Sequence, residues 1–176
     1  MVDFISNIKR EMIRKKILKV KGSESDLDLA NKCSETLDSL SISNSIQVLS
    51  AHRTPTLLET HVRECEAGGT KVFVAMAGLA AHLAGAVASK TVLPVIGVPG
   101  DGGPLSGMDA LLSTVQMPKG IPVATVAIGS AGAINSAYLA AQMLGMESAE
   151  IQAALLKVRE DGIEAIIESN KKLESS

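Results

Sequence analysis

Four short segments of this 176-residue chain hold groups able to handle an anion or a proton. Ser50-Ala51-His52-Arg53-Thr54-Pro55 sets an imidazole beside a guanidinium. Histidine titrates near neutral pH and can carry a proton to or from a substrate, while arginine can grip a phosphate with two parallel hydrogen bonds. Between residues 22 and 156 the only arginines are Arg53 and Arg63, and only Arg53 is expected in a loop at a strand end. By itself such a pair could be incidental. Gly22-Ser23-Glu24-Ser25-Asp26 precedes an expected helix. Its glycine permits a tight turn, and its hydroxyls and free N–H groups suit a phosphate; Asp26 would repel that phosphate but could hydrogen-bond ribose hydroxyls. An ordinary N-cap fits the same residues.

Ala77-Gly78-Leu79-Ala80-Ala81-His82-Leu83 is small enough to bare backbone N–H groups to a carboxylate. His82 falls early in the next expected helix, where a capping or interface role is the alternative. Pro99-Gly100-Asp101-Gly102-Gly103-Pro104-Leu105-Ser106-Gly107-Met108-Asp109 reads either as a lid that excludes water or as a long connection. His61 is expected to be a surface residue of a helix. Neither G-x-G-x-x-G nor G-x-x-x-x-G-K-[ST] occurs, which disfavours a large nucleotide cofactor.

These segments sit where strands should end. Short β-type runs at Ile17–Val20, Ser45–Leu49, Lys71–Met76, Val92–Val98 and Pro122–Ile128 alternate with helical patterns. The first helix repeats Leu27, Ala30, Cys33, Leu37 and Leu40. The second opens on Thr54 as N-cap with Pro55 at its first position and buries Leu57, Leu58, Val62 and Cys65. Further helices are expected over Ala80–Lys90, Leu105–Gln116, Ala131–Leu144 and Ser148–Lys172. Parallel strands need long crossovers, so the alternation predicts an α/β fold: three layers, flavodoxin-like, with a five-stranded parallel sheet of order 2-1-3-4-5 and a C-terminal helix. Ligands bind such sheets beyond the carboxyl ends of the strands. Lys19 and Lys21 flank Val20; burying an unpaired ammonium is costly, so a short or register-shifted first strand is expected. The Ala- and Gly-rich stretches Ala80–Ala88 and Ala131–Ala141 permit close helix approach and suit burial between subunits.

Composition narrows the function classes. Only Phe4, Phe73 and Tyr138 are aromatic and Trp is absent, so base-stacking surfaces are not expected. Residues 1–21 hold seven of the 17 Lys and Arg against two of the 19 Asp and Glu, a net +5 that leaves −7 for the remainder. An acidic body repels polyanions, which argues against nucleic acid. Residues 1–16 form a basic amphipathic extension with Ile5, Ile8, Met12 and Ile13 on one face, and residues 17–176 a single catalytic domain. Packing of the extension on its own protein is favoured over a membrane surface. No apolar run reaches about 18 residues and no signal peptide is evident. Cys33 and Cys65 fit neither a disulfide framework nor a metal spacing, consistent with a cytoplasmic location and no metal.

GSESDL, SAHRTP, AGLAAHL, PVIGVP, LSGMDALLSTVQMP and GIPVATVAIG occur in that order across Ile17–Leu144. Together they closely resemble the class I N5-carboxyaminoimidazole ribonucleotide mutases, the catalytic-subunit type of phosphoribosylaminoimidazole carboxylase. The resemblance implies a homo-octamer of flavodoxin-like subunits that uses no cofactor and converts N5-carboxyaminoimidazole ribonucleotide into 4-carboxy-5-aminoimidazole ribonucleotide. It also implies site roles. Ser23, Asp26 and Arg53 match substrate-binding positions, with Ser25 and Ser50 near the phosphate. His52 matches the essential histidine and, with His82, makes up the expected catalytic set. Gly78, His82 and Leu83 match the wall around the imidazole and the migrating carboxylate. The alternatives are a carboxylase that fixes free CO2 on aminoimidazole ribonucleotide, and a non-catalytic flavodoxin-like relative.

Overall fold

The computed structural model describes the backbone of residues 16–21 and 27–174, with side chains from Leu27 onward. The amphipathic extension read over residues 1–16 lies outside them apart from Lys16, as do Ser23, Ser25 and Asp26. In chain order the elements are β1 (Lys16–Lys21), α1 (Leu27–Ser39), β2 (Asn44–Val48), α2 (Pro55–Ala67), β3 (Thr70–Ala77), α3 (Leu83–Ala88), β4 (Val95–Pro99), α4 (Met108–Val115), β5 (Ala124–Thr125), α5 (Gly129–Gly145) and α6 (Ala149–Glu174). The strands form one parallel sheet in the order β2-β1-β3-β4-β5. From Ile17 to Lys21, β1 stays in register with both neighbours, and the one irregularity falls between Lys16 and Ile17.

β3 shows why the sheet is covered on both sides. Its apolar run does not alternate with polar residues, because alternate side chains enter different cores. Val72, Val74 and Met76 join Leu29, Ala30, Cys33 and Leu37 of α1 and Ala133, Ala137, Ala140 and Ala141 of α5. Phe73 and Ala75 join Leu58 and Val62 of α2 and Leu83, Ala84 and Val87 of α3. Ala133, Ala137, Ala140 and Ala141 of α5 are therefore buried inside the chain, and so are Ala81, Ala84 and Ala88. Cys33 is buried and Cys65 half-buried, and neither is in a disulfide. His61 is half-buried rather than fully exposed, with Nε2 3.6 Å from Cys65 Sγ.

Four elements are shorter than expected, among them α4, which starts at Met108 rather than Leu105 after the left-handed Gly107. β4 begins at Val95, not Val92. Pro94 has no N–H to give a ladder, and Thr91 Oγ1 accepts the N–H of Leu93, leaving Val92 fully exposed. β5 keeps only Ala124 and Thr125 at the edge of the sheet. α3 starts at Leu83 rather than Ala80, since Leu79 takes a left-handed φ of 55° and the N–H of His82 turns back to Ala80 O at 2.8 Å.

Gly97 in β4 lets α3 and α4 approach the sheet. A Cβ there would meet Thr114 Cγ2 at 2.4 Å, Val123 Cγ1 at 2.9 Å and Ala84 Cβ at 3.2 Å. Gly97→Val is expected to cost about 1–3 kcal/mol through overpacking, read as a lower urea midpoint at unchanged slope. A midpoint equal to that of the parent protein would show that the layer has room.

At the amino edge of the sheet, a cleft of about 740 Å³ is lined in part by Glu59, Arg63, Glu66, Lys90 and Thr91. Its charges face one another. Glu59 pairs with Arg63 at 2.5 Å and with Lys90 at 3.0 Å, and Thr91 donates to Glu66. The Lys90 hydrogen bond and charge, helped by Arg63, hold the Glu59 carboxyl below its usual range. A depressed carboxyl pKa makes the pair's small contribution complete above the ordinary carboxylate range, and it fades as pH falls through the folded value. Among the described residues no helix is long and apolar enough to cross a membrane.

Candidate active site

Two loops on either side of β1 build the site. The loop after β2 is clamped on itself: Thr54 N–H donates to Ser50 O at 3.0 Å, Arg53 N–H to Ser50 Oγ at 3.1 Å, and Thr54 Oγ1 both receives Ser50 N–H and donates to Ser50 O. Thr54 occupies the N-cap position of α2 ahead of Pro55, yet its hydroxyl makes no capping bond because it turns back to Ser50. The clamp is a serine–threonine turn, and it holds His52 and Arg53 at its exposed tip. Ser50 Oγ already accepts one N–H, so toward a ligand it has its hydroxyl proton to offer.

The loop after β3 leaves the sheet at Ala77 and turns at Leu79. A left-handed leucine is strained, and such backbone often marks functional loops. His82 ends the turn as the N-cap residue of α3, where its carbonyl accepts Ala86 N–H at 2.9 Å. Because β1 lies between β2 and β3, the two loops reach each other across the carboxyl end of β1. There His52 Nε2 lies 2.9 Å from His82 Nδ1, with ring centroids 5.0 Å apart and planes at 75°. Both imidazoles are exposed.

The other expected residues divide. Gly78 is half-buried under the start of the next loop: Gly100 N–H donates to Ala77 O at 2.8 Å, and a Cβ on Gly100 would come within 3.2 Å of the Gly78 backbone. Leu83 is 2% exposed and its side chain belongs to the α2–α3 core. Any contact it makes with a ligand would fall to its backbone N–H. Arg53 is exposed on the His52 loop. Ser23, Ser25 and Asp26, which follow β1 in sequence, lie outside the described residues.

Gly103 of the long loop sits over the strained turn, since a Cβ there would meet Leu79 Cδ2 at 2.4 Å. The same loop leans on the start of α5, where a Cβ on Gly129 would come within 2.8 Å of Asp101 Oδ2. No cluster of three or more His, Cys, Asp or Glu side chains able to hold a metal occurs among the described residues. What the arrangement offers chemically is a proton carrier of two imidazoles, a neighbouring guanidinium and bare backbone at Gly78. Sequence reasoning placed both histidines at strand ends but missed their contact with each other. Its only trace is that the two strands before them flank β1.

The family described as AIR carboxylase matches residues 16–164. The N5-carboxyaminoimidazole ribonucleotide mutase of Pseudomonas aeruginosa is 47% identical over 150 residues, covering 85% of this chain and 92% of that protein. The Bacillus subtilis mutase is 44% identical over 154 residues, covering 88% and 95%. A chloroplastic phosphoribosylaminoimidazole carboxylase of Vigna aconitifolia is 41% identical over 155 residues, but these are 28% of its length. The crystal structure of Treponema denticola PurE superposes with a TM-score of 0.82 at 29% identity, over 90% of this chain and 98% of that one. The chain therefore belongs to the AIR carboxylase family.

Proposed function

We propose that this chain is a mutase that converts N5-carboxyaminoimidazole ribonucleotide into 4-carboxy-5-aminoimidazole ribonucleotide in purine biosynthesis. The observation that carries the reading is the match to mutases over nearly their whole length. The carbamate releases CO2, the gas is held beside the electron-rich ring carbon, that carbon attacks, and its proton leaves. Such a route needs position, dryness and a proton carrier. We assign the proton to His52, with His82 beside it. Arg53, together with Ser23, Ser25 and Ser50, is assigned to the phosphate, Asp26 to the ribose hydroxyls, and the backbone of Gly78 and Leu83 to the migrating carboxylate. The loop that rises over Leu79 supports a role in shielding the pocket from water.

Residues 17–176 act as one catalytic domain behind a short basic extension, in the cytoplasm. Leu105, Met108, Leu112 and Val115 lie exposed at helical spacing in and before α4, and Ile163, Ile166, Ile167 and Leu173 lie exposed on α6, none of whose residues is buried. These surfaces support the octamer that the resemblance implies.

A carboxylase acting on aminoimidazole ribonucleotide and free CO2 is the second reading, favoured by the likeness to the plant carboxylase. The purified protein is expected to turn over N5-carboxyaminoimidazole ribonucleotide without added bicarbonate. Failure there, alongside activity on aminoimidazole ribonucleotide plus bicarbonate, would replace the mutase by the carboxylase.

A further inference from the structure

The loop after β4 closes on itself. A Cβ on Gly107 would meet Gly100 O at 2.8 Å and Asp101 Cα at 3.2 Å, so the end of the loop is packed on its beginning. Residues 101–106 between these ends are exposed, and Ser106 N–H donates to Gly103 O at 3.3 Å. Compact surface loops with close ends of this kind are frequently functional. The root of the loop covers Gly78 through Gly100, and its tip meets Leu79, whose Cδ2 would lie 2.4 Å from a Cβ on Gly103.

Leu79 holds its place under that tip at a cost. Its φ of 55° is left-handed, a conformation in which a Cβ crowds the backbone and glycine or asparagine is the usual occupant. Of the other non-glycine residues with positive φ among the described residues, Ser41 and Ser106 carry small polar side chains; Leu79 carries a branched apolar one. Burial does not offset the strain, because Leu79 is 55% exposed while Leu83 farther along the same segment is 2% exposed. Strained backbone that presents an apolar group at the mouth of a site is a mark of function. What that group can do is narrow. An isobutyl side chain neither grips a phosphate nor carries a proton, but it can wall in a neutral, apolar molecule. In the mutase reaction the species of that kind is CO2.

We infer that Leu79, held under Gly103, is the wall that keeps CO2 in the site between its release from N5 and its capture by the ring carbon, and so decides whether the carboxylate is transferred or lost. The inference rests on the mutase reading. The bond from N5 to the carboxylate carbon breaks, its electron pair stays on N5, and N5 takes a proton. CO2 then either bonds to the ring carbon C4, which gives up its hydrogen as a proton, or escapes and leaves aminoimidazole ribonucleotide behind. Both courses balance without an oxidant or further reactant. They share the first step, so the wall governs only the fate of the gas.

The test follows the carbon. The purified protein turns over N5-carboxyaminoimidazole ribonucleotide labelled with ¹³C in its carbamate, in unlabelled bicarbonate with carbonic anhydrase present, so that escaped gas mixes with the medium. A reaction without protein corrects for spontaneous decarboxylation. Mass spectrometry reads the ¹³C kept in the carboxylated product and the aminoimidazole ribonucleotide set free. The parent protein is expected to keep most of its label. Leu79→Gly and Leu79→Asn, both suited to left-handed backbone, are expected to raise the share of label lost roughly tenfold, the low end of what a missing methylene costs in an apolar pocket. Leu79→Met, apolar and of similar volume, should retain label as the parent does. The urea midpoint of Leu79→Asn should not fall below the parent's, because the variant relieves strain at an exposed position. Equal retention in every variant, or a leak in Leu79→Met as large as in Leu79→Gly, overturns the wall. So does a fallen midpoint with retention intact, which reduces Leu79 to a structural contact. A parent protein that forms product but scrambles its carbon with the medium overturns the wall and leaves the mutase; one that forms no product removes the mutase reading and the inference with it.

Discussion

His52→Asn is expected to lower kcat for N5-carboxyaminoimidazole ribonucleotide by about 10²–10⁴-fold, the usual worth of a positioned general acid–base group, while KM changes by a few-fold at most. Asparagine is polar and of similar width, but it neither takes nor gives a proton near neutral pH. Its amide also reaches only the Nδ1 position, so the Nε2 contact with His82 at 2.9 Å is lost with it. His52 is exposed at a loop tip held by the Ser50–Thr54 clamp. The thermal midpoint should therefore stay where it was, and a loss confined to kcat marks an interaction made in the transition state. Equal conversion by the parent and the variant would remove His52 from the mechanism.

Phe73→Ala is expected to destabilise the fold by about 3–5 kcal/mol, the usual cost of emptying a buried phenylalanine site. Phe73 is 0% exposed, and its core includes Leu58, Val62, Val87 and Val95. It is also the one buried aromatic in the chain's described residues, in a layer otherwise built from small aliphatic groups. Neighbours as short as Ala75, Ala84 and Ala88 cannot collapse into the gap, so much of the cavity should persist. Urea unfolding at fixed protein concentration checks this, with a lower midpoint at unchanged slope. A loss below about 1 kcal/mol would mean that the α2–α3 layer does not close over β3.

Much of the scaffold was legible because its signals are local. The run from Val72 to Met76 reads as a strand covered on both faces, since nothing polar interrupts it. Thr54-Pro55 marks the start of α2 to the residue. Boundaries slipped where a single backbone group decided them. Val92 and Leu93 look like strand, but the chain enters the ladder only after Pro94. Ala80 and Ala81 look like helix, yet Leu79 at φ 55° turns the chain first. Ala133, Ala137, Ala140 and Ala141 are the means by which α1 and α5 approach within one chain. Small residues signal close approach but not which partner approaches.

Residue order alone determined the alternation of strands and helices, the apolar faces, and the list of groups able to hold an anion or move a proton, because side-chain periodicity and turn chemistry act over a few neighbouring residues. Tertiary structure decided which of those groups meet. His52 and His82 are 30 residues apart and follow strands that do not touch each other; they come to 2.9 Å because β1 pairs with both. The same long-range pairing set Gly100 against Gly78 and Gly103 over Leu79. Such contacts depend on strand order and on how closely layers approach, and no spacing along the chain encodes either.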